Sequence, residues 1–159
     1  SQVVSLVSNV GIDRLPPKLR KLLPEDIDLS NAEHRQHFMT AIGFDSATGV
    51  APFHAGSEER MENWYQAQTL WDEYMSESIA DVLAADKDIR VVALVGTGHV
   101  DTRTAIPNRV ERRTGQKPFS IVARPVGWTS ESGSPMPMID APERCADIIW
   151  YTSRMRDLG

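Results

Sequence analysis

Arg90-Val91-Val92-Ala93-Leu94-Val95 runs directly into Gly96-Thr97-Gly98-His99. A continuous β-branched run of this kind predicts a strand covered on both faces, as in a parallel sheet. The two glycines place a turn at its carboxyl end. Ligands of open α/β folds lie beyond such ends, so His99 stands where a ring nitrogen can meet a substrate or a metal. Downstream, Pro107 opens a short basic helix that stops at Gly115, and Phe119 to Arg124 reads as a second strand. Strand, helix and strand over residues 91–124 imply a right-handed βαβ unit. A proline-containing loop after Pro125 leads to Ala146-Asp147-Ile148-Ile149-Trp150-Tyr151, a last strand segment. The fold class is α/β, a partial parallel sheet flanked by helices.

Helices precede this unit. Val3, Val4, Leu6, Val7 and Val10 recur at helical spacing over residues 1–10, and Gly11 follows where helices stop. Leu15-Pro16-Pro17 begins a second, short helix through Leu23 that Pro24 ends, and Ser30-Asn31-Ala32-Glu33 reads as a capping box for a helix to about Ile42. Residues 43–57 are rich in glycine and serine and read as a loop carrying His54. From Met61 to Ala84 there is neither glycine nor proline, which predicts a long helix with Trp64, Gln68, Trp71, Met75, Ser78 and Val82 on one stripe.

The 159 residues carry a formal net charge of −5, which excludes a nucleic-acid-binding domain relying on overall basic charge. A single cysteine, Cys145, excludes an internal disulfide framework and a multi-cysteine metal site, and reads as structural. No apolar run is long enough to span a bilayer. The chain opens Ser1-Gln2 without methionine or a signal segment, so its N-terminus is expected to have been cut, and any address it bore is not read here. No internal repeat or second domain is evident. Charge is uneven. Residues 57–90 hold nine acidic and three basic side chains, residues 101–124 two acidic and six basic. Such halves are either solvated helical faces of opposite sign or, near His99, a patch for an anion.

Gly96-x-Gly98-His99 lacks the third glycine and the well-spaced acidic residue of a dinucleotide fingerprint, which removes the nicotinamide reading. It remains either a tight turn or a ligand-facing loop. On the long helix, Gln68 falls within the apolar stripe and Asp72 at its edge beside Tyr65, so both need interior partners or line a polar cavity. They are expected to approach the 96–99 loop. Trp64, Trp71 and Met75 are either plain core or the wall of a pocket for a flat apolar ligand. His34 and His37 share a helix face without a third ligand at an obvious spacing, with Arg35 between them, and read as solvated.

Three blocks together resemble the C-terminal half of the ChaN-like haem-binding family, related to the Tiki, TraB and erythromycin-esterase superfamily. They are Trp64-Tyr65-Gln66-Ala67-Gln68-Thr69-Leu70-Trp71-Asp72-Glu73-Tyr74-Met75, then Val91 to His99, then Ile106-Pro107-Asn108-Arg109. Gly11, Leu15-Pro16 and Leu22-Leu23-Pro24 resemble the stretch before that helix. The resemblance covers residues 1–124 as a half-domain and leaves residues 125–159 as a proline-rich loop and extension. The family's G-E-x-H motif, usual in an N-terminal half, has no counterpart here. The sheet is therefore expected to be completed by a missing N-terminal half or by a partner chain, since an uncovered edge is rarely tolerated.

The resemblance implies haem as cofactor and ligand, held at a subunit interface by tyrosine and histidine, in iron or haem handling. It implies a homo-oligomer or companion chain and an extracytoplasmic, membrane-associated or organellar setting. The residues matching motif positions are Tyr65, Gln68, Trp71, Asp72, Gly96, Gly98, His99 and Arg109. His99, Tyr65 and His54 are the implied iron-facing groups, and the basic segment of Arg103, Arg109, Arg112 and Arg113 the implied partner of haem propionates. Two other functions fit the same blocks: a non-catalytic subunit that retains the fold within an assembly, and a metal-dependent hydrolase using His99.

Overall fold

The computed structural model describes residues 2–43, 58–126 and 145–153. The expected loop with His54 and the proline-containing loop before the last strand lie outside them. The helices are α1 (Gln2–Val10), α2 (Pro17–Arg20), α3 (Ala32–Ala41), α4 (Glu58–Ala85) and α5 (Ile106–Thr114). Two strands follow, β1 (Ile121–Val126) and β2 (Ile148–Ser153), and the segment between α4 and α5 contains 3-10 turns at Thr97–His99 and Asp101–Arg103. This is a helix-rich α/β chain with a partial parallel sheet.

Helix α4 is the axis of the fold, gripped by α1 on one flank and α5 on the other. Against α1 the contact is apolar: Val3, Val7, Leu15, Ala67 and Leu70 are buried together, with Ile12, Leu19, Leu23 and Tyr74 packed around them. Complete burial of a side chain such as Leu70 contributes about 1.5–3 kcal/mol. Helix α1 ends where the sequence placed its stop. Gly11 has φ +79°, and a Cβ there would meet Asn63 Oδ1 at 2.6 Å, so both the backbone and the approach of α4 require glycine. The Ile12 amide then donates to Gln66 Oε1 at 2.9 Å, and Tyr74 Oη donates to the Leu22 carbonyl at 2.8 Å, which tie the turn after α1 and the end of α2 to α4.

Three readings of local pattern are corrected. The helix cap at α3 is Asn31, whose side chain accepts from the His34 amide, while the Ser30 hydroxyl donates to Asp28. Asn31 wins because it stands one residue nearer the first helical turn. The stripe of Trp64, Gln68, Trp71, Met75, Ser78 and Val82 is not the buried face of α4: Trp71 is 50% exposed, Val82 and Ser78 are exposed, and Trp64, Gln68 and Met75 are only partly covered. The buried positions are Asn63, Ala67 and Leu70 on one flank and Tyr65, Thr69, Asp72, Glu73 and Ser76 on the other. A helix held from two sides buries two flanks, and the second is lined by polar groups with interior partners, which an apolar periodicity does not register.

The third correction concerns residues 91–95. They form neither helix nor strand, and Val92 and Leu94 are 86% and 93% exposed. A strand exists only with a ladder partner, and β1 pairs with β2, in parallel, from Ile121 opposite Ile148 to Val126 opposite Ser153. The expected βαβ unit over 91–124 is therefore replaced by pairing between the 119–124 region and the last strand segment. Ile121, Ala123, Ile148 and Trp150 share one face of this two-stranded sheet by the period of two, and all four are exposed.

Candidate functional site

The turn at Thr97–His99 brings its histidine back onto α4. His99 Nδ1 lies 2.6 Å from Asp72 Oδ1 and 3.0 Å from the Gln68 amide, as the two polar positions of α4 required. Asp72 is fully buried. Two partners of opposite kind therefore meet at Nδ1, the accepting oxygen of Asp72 and the donating Nε2 of Gln68. Trp71 stands beside the imidazole, edge-on at 5.3 Å between ring centroids. A Cβ on Gly96 would be 3.6 Å from His99 Cδ2, an ordinary contact, and one on Gly98 would meet nothing within 4 Å. Neither glycine is needed for a left-handed backbone. That conformation falls instead on Thr102 and Arg103, at φ 61° and 64°, a sparsely populated region for residues with a Cβ. The Thr102 hydroxyl bonds the Asp101 carbonyl at 2.6 Å and meets Thr104 Oγ1 at 2.9 Å. Arg103 donates to Asp147 at 2.6 Å, fastening this strained turn to the start of β2.

Behind Asp72 the interior is charged. Its second oxygen faces His34 Nε2 at 3.3 Å, and Arg109 Nη2 lies 3.2 Å from His34 Nδ1. Arginine only donates, so His34 Nδ1 accepts, while the buried Asp72 Oδ2 makes no hydrogen bond. Arg109 is almost fully buried. It pairs with Glu73 at 3.0 Å and donates to the Thr104 carbonyl at 2.9 Å. Glu73, itself buried, also receives Arg112 at 3.0 Å and Arg113 at 2.6 Å. Burial opposes the charge of Arg112, but the hydrogen bonds it donates to Asp26 and Glu73 outweigh this and raise its pKa.

The site residues read from the sequence thus divide. Gln68, Trp71, Asp72 and His99 converge, with Gly96 and Gly98 in the adjoining turn. Tyr65 and Arg109 reach the group only through His34. The Tyr65 ring packs against His34 and Phe38, with Arg35 4.1 Å above it, and burial pushes its phenol pKa up, which favours the neutral form. Arg103, Arg109, Arg112 and Arg113 all engage carboxylates of the fold. His54 lies outside the described residues.

His34 is the residue that the sequence reading misplaced, as one of a solvated pair with His37. It is buried, not solvated. The available signal was Phe38, one helical turn on, which puts an aromatic ring on the same face of α3 and marks that face as interior.

Clefts of about 500 and 390 Å³ open elsewhere, one beside Glu77, Asp81 and Arg113, others beside Asn108 and Arg14, and His99 lines none of the three. His99, Trp71 and Gly98 form an open surface. Among the described residues no group of three or more histidine, cysteine or acidic side chains is arranged to hold a metal ion, and no helix is long and apolar enough to cross a membrane. A family model described as haem-binding uptake, Tiki superfamily, ChaN matches residues 1–110, a span that includes every converging side chain named above. No curated protein and no solved structure gives a significant match.

Proposed function

This chain belongs to the ChaN haem-binding-uptake family of the Tiki superfamily, and from that premise we propose that it binds haem on the Trp71–His99 surface, with His99 Nε2 as the axial group, in the handling of haem or iron. The observation that carries the reading is the 2.6 Å bond from His99 Nδ1 to the fully buried Asp72. A carboxylate on the far nitrogen fixes the tautomer and orientation of an iron-binding imidazole and raises its basicity. The residues present fit the group in two further respects: the half-exposed Trp71 offers a flat apolar wall, and the space above Gly98 is open.

Haem, when bound, would supply an iron that a histidine nitrogen such as that of His99 could hold. What the chain's own residues do is narrower. Asp72 and Gln68 hold the ring at Nδ1 from α4, and Trp71 packs edge-on against it. The arginines of α5 are engaged inside the fold, so propionate pairing is not assigned to them. Because the Trp71–His99 surface is open, a second copy or a companion chain would complete the enclosure of the ligand.

Titration with haem is expected to give a saturable Soret band with a Kd of about 1 μM or tighter, the strength of about 8 kcal/mol. His99→Ala should shift the band and weaken binding, whereas Tyr65→Phe should leave both unchanged. Weak, non-saturable uptake indifferent to His99→Ala would reject the reading. A second reading, a subunit that keeps the fold for assembly, is favoured by the exposed Ile121, Ala123, Ile148 and Trp150 face. It predicts tight association with another chain and no specific haem uptake.

A further inference from the structure

We propose that residues 91–95 of one copy of this chain add as a strand to the free edge of β2 in a second copy, and that the exchange is reciprocal. The proposal names the occupant of the exposed sheet face noted above. It uses none of the side chains that converge on His99, so it stands or falls apart from the haem reading. Its first observation is a strand-forming sequence without a ladder. Residues 91–95 lie between α4 and the 97–99 turn, and among the described residues none of their backbone groups is hydrogen-bonded. Val92 and Leu94 share one face by the period of two and are almost fully exposed.

The second observation is a sheet without a further strand. In the parallel pair of β1 and β2, Ile121 stands opposite Ile148, and the Ile148 amide donates to the Ser120 carbonyl at 3.1 Å. Residues 148, 150 and 152 therefore turn their backbone groups toward β1, and residues 149, 151 and 153 turn theirs outward. On the outer side of β1 the corresponding residues are 121, 123 and 125, and Pro125 has no N–H to offer. The edge of β2 is the complete one. Phe119, Ile121, Ile148 and Trp150 stand exposed on and beside this sheet, although parallel sheets are covered on both faces. Together with Val92 and Leu94 they leave roughly 800 Å² in water, the share that each partner contributes to a stable interface. One chain thus carries both a strand that lacks an edge and an edge that lacks a strand. Two copies related by a twofold axis satisfy both at once with the same surface, in a contact that closes. A partner that covered only the apolar side chains, such as an amphipathic helix, would leave the backbone groups of both segments unpaired.

The test uses the whole chain without haem. Sedimentation velocity over a micromolar dilution series should show a reversible dimer. Amide exchange should show protection within residues 91–95 and at Ile149, Tyr151 and Ser153 that disappears on dilution to monomer. Leu94→Lys puts a charge into the added strand at a side chain that is almost fully exposed within the protomer. It should leave the urea melt of the dilute monomer unchanged and weaken association by about tenfold or more. A chain that stays monomeric overturns the proposal, as does a dimer whose protection lies outside these two segments or whose strength is unchanged in Leu94→Lys. An open-ended series of oligomers overturns the reciprocal, closed contact. A chain that is monomeric alone but takes up a strand from another protein gives the edge to that protein and rejects the second copy. A monomer that binds haem leaves the haem reading standing, and a dimer that binds none removes that reading alone.

Discussion

His34 and His99 address opposite oxygens of one buried carboxylate, Asp72, at 3.3 and 2.6 Å. Asp72 therefore joins α3 to the 97–99 turn through the middle of α4, and its removal is felt as folding before it is felt as binding. Asp72→Ala removes the hydrogen-bond partner of His99 Nδ1 and the carboxylate beside His34. A loss of about 1–3 kcal/mol is expected in urea unfolding, the scale for leaving a buried polar group without its partner. Asp72→Asn keeps the shape but offers one acceptor and one donor, so it should fold better than Asp72→Ala while still losing haem affinity. Equal stability of Asp72→Ala and the parent chain would contradict this account.

Glu73 is buried and receives Arg109, Arg112 and Arg113, whereas the Arg14–Glu59 pair is exposed on both sides. Glu73→Gln should cost about 3–5 kcal/mol, because it leaves the buried Arg109 charge uncompensated. Arg14→Ala should change stability by less than about 1 kcal/mol. Paired urea melts of the two variants check the contrast, and comparable losses would refute it.

Two glycines separate a structural role from a ligand-facing one. Gly11→Ala forces a Cβ at φ +79° into Asn63 and should lower stability by about 1–3 kcal/mol. Gly98→Ala meets no atom within 4 Å and should change stability by less than about 1 kcal/mol. If a porphyrin approaches this backbone, the same methyl should weaken haem uptake in a spectrophotometric titration. A Gly98→Ala chain that binds haem as well as its parent would move the porphyrin elsewhere.

Asp147 couples the strained 101–103 turn to the sheet. The Ser120 amide, the Ser120 hydroxyl and Arg103 all stabilise its carboxylate and hold its pKa below the ordinary 3.8, against a smaller effect of burial. A depressed pKa means that the folded chain binds this proton less readily than the unfolded one, so the stabilisation is present above about pH 3.8 and is lost as the pH falls through the lower folded value. The Ile148 amide, 3.1 Å from the Ser120 carbonyl, is the local probe. Its exchange protection should fall on acidification below pH 3.8, and Asp147→Asn should remove that pH dependence. An identical acid profile in Asp147→Asn would contradict the assignment.

By itself the sequence determined what depends on neighbours along the chain. Long helix α4 followed from an uninterrupted run without glycine or proline, the ends of α1 and α5 from Gly11 and Gly115, and the start of α2 from its prolines. The contact of Gln68 and Asp72 with His99 followed too, because polar groups amid apolar spacing need interior partners. Tertiary structure alone decided which flanks of α4 are buried, since α1 and α5 grip it from two sides and the second contact is made by arginine, histidine and carboxylate. It alone decided that β1 pairs with β2 and leaves residues 91–95 without a ladder, because a strand's partner is chosen across the chain and hydropathy does not name it. It also turned His34 from a surface residue into the inner neighbour of Asp72: the helix pattern fixes the face on which a side chain lies, but burial depends on what packs against that face.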